Sequence, residues 1–182
     1  MNRKLREYLE DWECKKYPNG VLLLNTKLNS LAMYYRYYDG AILKGRKLKT
    51  GKLGFGKKDS GRISKGYLRI ALPSSYTNVY NHIIAAKAIG LLDDVTQSSD
   101  FQINHKNFDK LDNRPENIEL CTRMDNIYHS NLKRICKKFG VWKDDIVIDA
   151  KTAVKFITDA GKNNLKVLEQ YNDYCKLYTN KN

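Results

Sequence analysis

The chain has 182 residues, with 33 Lys and Arg against 20 Asp and Glu and a formal net charge of +13. That length suits one domain with a sizeable core, or a compact domain with an appendage. No apolar run approaches the roughly 18 residues of a membrane-spanning helix, and so lopsided a charge points to a polyanionic partner.

The first twenty residues, MNRKLREYLEDWECKKYPNG, lack an apolar signal-peptide core, so a cytoplasmic protein is expected. Leu5, Leu9 and Trp12 recur at helical intervals and predict a helix over 3–16, ended by Pro18-Asn19-Gly20. VLLL (21–24) reads as a strand. TKLNSLAMYYRYY (26–38) reads as a second helix, whose tyrosines are core or, in the alternative, base-stacking residues. Asp39-Gly40 is a turn.

A basic, glycine-punctuated region follows. Between Ala41 and Ile70 stand ten cations and a single acid, Asp59. Lys44, Arg46, Lys47, Lys49, Lys52, Lys57, Lys58, Arg62 and Lys65 are the candidates for nucleic-acid contact. Glycines at 51, 54, 56 and 61 predict tight turns between short strands, and no G-K-[ST] marks a phosphate loop. GYLRIAL (66–72) and SYTNVY (75–80) predict an antiparallel pair, and NHIIAAKAIGLL (81–92) a packed helix. None of the cysteines (14, 121, 136, 175) falls in a C-x-x-C pair, so zinc knuckles and disulfide frameworks are not implied.

After a polar loop (93–101) comes QINHKNFDKLDNRPENIELCTRMDN, residues 102–126, with one His and five Asn. The pattern predicts a strand at 102–104, a long loop, a strand at 118–121, and a helix to about Lys138. Thr122 is its N-cap and Asp125 the capping-box partner. Phe139-Gly140 ends it. In 141–182, DDIVID predicts a strand, and KTAVKFITDAG and NNLKVLEQYNDYCKLY two helices separated at Gly161. A strand–loop–strand–helix unit gathers Asn104, His105 and Asn126 toward one region. A neutral His takes a proton from water, and amide oxygens coordinate a hard cation. These are the needs of phosphodiester hydrolysis. Taken singly, each Asn is an ordinary turn former.

N-H at 104–105, L-D-N-R-P-E-N-I at 111–118 and C-T-R-M-D-N at 121–126 together resemble the HNH nucleases. The variant is that of phage and intron-encoded homing endonucleases, which implies a bacterial or phage-infected host cell. Upstream, D-G-A-I-L-K, G-Y-L-R-I-A-L and Y-N-H-I-I-A are similar to the same family, so the resemblance spans about 30–130. It implies an α+β fold: a ββα-metal core at about 98–138 within an endonuclease domain at 30–138. An antiparallel, β-rich basic region would precede that core, with helical extensions at 1–29 and 139–182. It implies His105 as general base, Asn104 and Asn126 as metal ligands, and Asn117 as the residue fixing the loop and orienting His105. Asn113 would pin the turn. His82 matches a His common in these proteins and is expected to be structural, although Ile83 stands where Arg is frequent.

Magnesium or manganese is the implied cofactor. Zinc, held by His105 with His129, is the disfavoured alternative, because zinc sites usually carry more His and Cys. Many relatives have Asp where this chain has Asn104, so the cation would bind weakly until DNA phosphates join it. The expected activity is cleavage of double-stranded DNA by a monomer that nicks or a homodimer that cuts both strands. The tail is expected to add DNA contacts or dimerisation. The competing readings are a catalytically inactive HNH-fold DNA-binding protein, and an RNA-binding protein stacking bases on Tyr34–Tyr38.

Overall fold

A computed structural model describes residues 9–27, 31–57, 61–71, 78–92 and 100–179. The fold is α+β with antiparallel sheets, and it divides into two compact units. One comprises residues 1–99 with 109–119. The other comprises 100–108 with 120–182.

The first unit is built on a five-stranded antiparallel sheet, β1 (Trp12–Tyr17), β2 (Gly20–Asn25), β3 (Ala32–Arg36), β4 (Ile42–Lys47) and β5 (Leu53–Phe55), in sequence order. β1 and β2 pair across Pro18-Asn19, with Tyr17 opposite Gly20. Gly20 is required there: a Cβ would stand 2.1 Å from the Tyr35 carbonyl oxygen. Val21, Leu23, Met33, Tyr35 and Ile42 are buried and share one face of the sheet, its core face. A second sheet joins β6 (Arg62–Ser64), β7 (Tyr67–Ile70) and β8 (Val79–Tyr80), the last running into α1 (Asn81–Ala88).

Two predicted helices give way to strands, at β1 and at β3. Of the predicted helix 3–16, residues 3–8 lie outside the described residues and Leu9 and Glu10 are helical, but β1 begins at Trp12, so 12–25 form a strand pair where a helical extension was expected. From Trp12 on, a nearby partner prevails over the predicted helix, because VLLL supplies a ready antiparallel ladder. The cations Lys15 and Lys16 then lie exposed on an edge strand, which discourages further pairing. The predicted helix 26–38 is overturned at β3, whose tyrosines alternate between faces. Tyr35 points into the core at 0% exposure while Tyr34 is half-buried.

The second unit holds β9 (Phe101–His105), α2 (Arg123–Lys138), α3 (Ala150–Ala160) and α4 (Asn164–Thr179). β10 (Ile118–Thr122) begins at the boundary and forms a two-stranded sheet with β9. The α2 N-terminus is closed as predicted: Asp125 N–H donates to Thr122 Oγ1 at 3.1 Å and Thr122 N–H to Asp125 Oδ2 at 3.3 Å. Beyond Phe139 the chain turns at Gly140, φ 70°. His129, Leu132 and Cys136 form the buried stripe of α2. Leu132 and Cys136 pack with Ile146, Ile148, Phe156, Val167, Tyr171 and Cys175, so the tail residues complete the α2 core. DDIVID is not a strand. The alternation of Ile146 and Ile148 is real, but both side chains enter a helical core instead of facing a partner strand.

Candidate active site

In the second unit, β9 delivers Asn104 and His105 as its last two residues, both buried, at 6% and 4% exposure. Asn126 stands one turn into α2 and is half-buried. Its Nδ2 donates to Gln102 Oε1 at 2.7 Å. That bond ties the amide nitrogen to β9 and leaves the carbonyl oxygen, a hard ligand, as the group able to coordinate a cation. Strand and helix thus bring Asn104, His105 and Asn126 into one folding unit, with Gln102 as a partner that the sequence did not single out.

The chain turns immediately after His105. Phe108 N–H donates to the His105 carbonyl at 3.0 Å, and Phe108 sits in the left-handed region at φ 63°, rare for a bulky residue. Its ring lies flat on His129, with centroids 3.8 Å apart, and edge-on to Trp142 at 4.7 Å. Lys133 Nζ stands 4.8 Å from the Phe108 ring centroid and 5.2 Å from that of Trp142. His129 is 1% exposed, and its Nε2–H donates to the Ile148 carbonyl at 2.7 Å. Ile148 N–H donates in turn to the Lys106 carbonyl at 3.0 Å. Burial holds the His129 pKa down at about 4, against hydrogen bonds to Ile148 and Lys106 that favour the charged form. His129 is therefore neutral near pH 7. Buried beneath Phe108 and bonded to backbone, it braces the turn after His105.

The loop 109–119 belongs to the first unit and has little regular structure, but it is closely cross-linked. Asn117 Nδ2 donates to the Asp112 carbonyl at 2.7 Å, and Asn113 Nδ2 to the Leu111 carbonyl at 3.3 Å. Asp112 accepts two hydrogen bonds from the Arg114 guanidinium, at 2.8 and 2.6 Å. The buried Tyr35 hydroxyl donates to the Asn113 carbonyl at 2.8 Å, tying the loop to the large sheet. Burial pushes that phenol well above its ordinary pKa. Gly40, at φ 69°, presses so close that a Cβ would lie 2.3 Å from the Asn113 carbonyl carbon. Asn113 and Asn117 are thus both buried anchors of their own loop.

His82 opens α1, stacked on Tyr80 with centroids 5.5 Å apart and 5.0 Å from Tyr67. Lys44, Arg46, Lys49, Lys52, Lys57, Arg62 and Lys65 are exposed in the first unit, and Lys47 is on β4. Lys58 lies outside the described residues. Of the tyrosines weighed for base stacking, Tyr35 is buried, Tyr34 packs on Phe55 at 5.7 Å, and Tyr38 is 71% exposed.

Among the described residues, no three His, Cys, Asp or Glu side chains cluster in a way that would hold a metal. The donors on offer are amide oxygens and one imidazole. That set suits a hard cation whose remaining ligands are water and phosphate, and not a thiolate- or imidazole-rich zinc site. No helix among the described residues is long and apolar enough to cross a membrane.

Residues 95–128 match the HNH endonuclease family model. The match covers β9, the cross-linked loop, β10 and the start of α2. It supports membership of the HNH superfamily and a nuclease function. No curated protein and no solved structure matches the chain.

Proposed function

We propose that this protein is a metal-dependent HNH endonuclease that hydrolyses a phosphodiester bond of double-stranded DNA, of the kind carried by phages and mobile introns. The observation that supports it most is the joining of Asn126 to β9 through Gln102, inside the stretch that matches the family model. The buried imidazole of His105 accepts a proton from the attacking water. Asn104 and Asn126 hold magnesium or manganese by their amide oxygens. The cation supplies charge stabilisation at the scissile phosphate and the leaving oxygen. His129, Phe108 and Ile148 fix the turn that carries His105. The exposed cations of residues 44–65 grip the backbone. The β9–β10–α2 unit is the ββα-metal core, and the active form is a monomer or a homodimer.

A supercoiled-plasmid assay with magnesium or manganese, against EDTA, tests this reading. Metal-dependent nicked or linear product from the wild type, and none from His105→Ala, is the expected result. Metal-independent DNA binding by both proteins without any product would favour a second reading, an HNH-fold DNA-binding protein without cleavage. One observation favours that alternative: both proposed metal ligands are neutral amides.

A further inference from the structure

In the first unit, the five-stranded sheet and the β6–β7–β8 sheet enclose a cleft of about 620 Å³. Among the described residues three cations line it: Lys44 from β4, Arg62 from β6 and Arg69 from β7. Lys44 spans it, its Nζ donating to the Ala71 carbonyl at 2.9 Å. Ser64 and Asn78 add polar groups, and none of the described lining residues is acidic.

Two features of this cleft make little sense without an anion in it. Arg62 and Arg69 are directly opposite each other in the antiparallel β6–β7 register, so their side chains share one face. Like charges at such a position repel. Neither has a carboxylate partner among the described residues. Arg69 also keeps its Nε buried with no hydrogen-bond partner among the described residues, while its guanidinium lies over the Tyr80 ring, 5.8 Å from the centroid. A guanidinium has five N–H donors in a planar fork, and leaving one desolvated and unmet is unfavourable. An anion seated between the two arginines removes both penalties at once. Arginine forks match phosphate oxygens in particular.

We propose that this cleft is a phosphate-binding site that seats the backbone of duplex DNA, with Arg69 as a binding residue alongside Arg62 and Lys44. A polymer is favoured over a free nucleotide because exposed cations continue on both sides of the cleft in the chain, Arg46, Lys49 and Lys52 before it and Lys65 within the β6–β7 turn. At the far side of the Tyr67–Tyr80 ring pair stands Lys110, its Nζ 4.5 Å from the Tyr67 centroid. Lys110 belongs to the loop between β9 and β10. That loop also carries Asn113 and Asn117 and lies in the same unit as the cleft. The proposal deepens the DNA reading above and depends on it for the identity of the polymer.

The test is anisotropy of a labelled duplex in EDTA over a series of salt concentrations. It compares the wild type with Arg62→Gln, Arg69→Gln, the double variant and Arg69→Lys. Because metal and cleavage play no part, an absence of nuclease activity would not affect the result. Each Gln variant is expected to weaken binding roughly tenfold. Each should lower the slope of log Kd against log salt by about 1, and the double variant by about 2. Arg69→Lys restores the slope but not the full affinity, because a point charge replaces a fork. Without DNA, Arg69→Gln melts no lower than the wild type, since it relieves repulsion. Unchanged slopes and affinities would overturn the proposal. So would a melting temperature that falls together with affinity while the slope stays intact, which would make Arg69 merely structural. Displacement of the duplex by micromolar dATP or pyrophosphate, lost in the Gln variants, would overturn the assignment to DNA in favour of a nucleotide pocket.

Discussion

Phe108 and His129 stack almost face to face, with ring planes 4° apart and centroids at 3.8 Å. One residue ends the turn that begins at His105 and the other lies in α2, and the imidazole passes the constraint on through the Ile148 carbonyl to the tail. The general-base candidate is therefore held by residues beyond the family-model match, among them Trp142 and Ile148.

The His129 imidazole gives this brace a pH dependence. Its folded pKa, about 4, lies below the ordinary value of 6.5. The folded state thus binds fewer protons than the unfolded state between those values, and stability rises with pH across that window. Stability is full above about pH 6.5 and falls as pH drops toward 4, by roughly 3 kcal/mol in all if the shift is taken whole. Urea unfolding at several pH values checks this. His129→Phe keeps the stack but strands the Ile148 carbonyl, and should lose about 1–3 kcal/mol at pH 7.5. Its deficit should shrink by pH 4.5, and a deficit independent of pH would sink the assignment.

Phe108 inverts an ordinary rule. Glycine usually destabilises relative to alanine, but at φ 63° the alanine Cβ is strained. Both Phe108→Ala and Phe108→Gly lose the ring contacts. The glycine variant should nonetheless be more stable than the alanine variant, by about 1 kcal/mol. Thermal melts of the pair decide it, and the opposite order would mean that the turn relaxes out of the left-handed region.

Removal of residues 141–182 should unfold the second unit and not merely trim an accessory. Ile146, Ile148, Val167, Tyr171 and Cys175 are at most 2% exposed and share one core with Leu132 and Cys136 of α2. Loss of the near-ultraviolet signal from Trp142 and its neighbours is trivial in a truncation, so protease resistance of the α2 region is the measurement. A truncated chain that keeps α2 protected and still cleaves DNA would show the tail to be modular.

Charge at the proposed metal site is open to direct manipulation. With Asn104 and Asn126 both neutral, metal uptake should depend on DNA phosphates. Asn104→Asp adds a formal charge, and should lower the magnesium concentration needed for half-maximal nicking about tenfold or more. Asn126→Ala should abolish nicking while duplex affinity in EDTA stays within about twofold, since an exposed phosphate contact is not lost. A magnesium requirement unchanged by Asn104→Asp would remove Asn104 from the metal.

The α2 cap offers the simplest check on the local reading. Thr122→Ala removes the arm accepted by Oγ1, leaves the backbone N–H arm to Asp125, and should reduce stability by about 1 kcal/mol, with little change in the metal requirement.

Features set by neighbours in sequence were legible from it. The Thr122–Asp125 box, α2 up to Lys138 and the break at Gly161 rest on side chains three or four residues apart or on a single backbone preference. The short strands of the basic region are marked by glycines in the same local way. The placement of Asn104 and His105 at a strand end, and of Asn126 one turn into a helix, followed from the same short-range signals. What the sequence could not decide were the outcomes that depend on distant partners. β1 and β3 became strands because β2 lay beside them to complete a ladder. Ile146 and Ile148 alternate like a strand but were drawn into a helical core. Tyr35 meets Asn113 across 78 residues, and Phe108 accepts a strained backbone because His129 and Trp142 bury its ring. Tertiary burial supplies more free energy than any local propensity, and its partners are chosen by the fold, not by spacing along the chain.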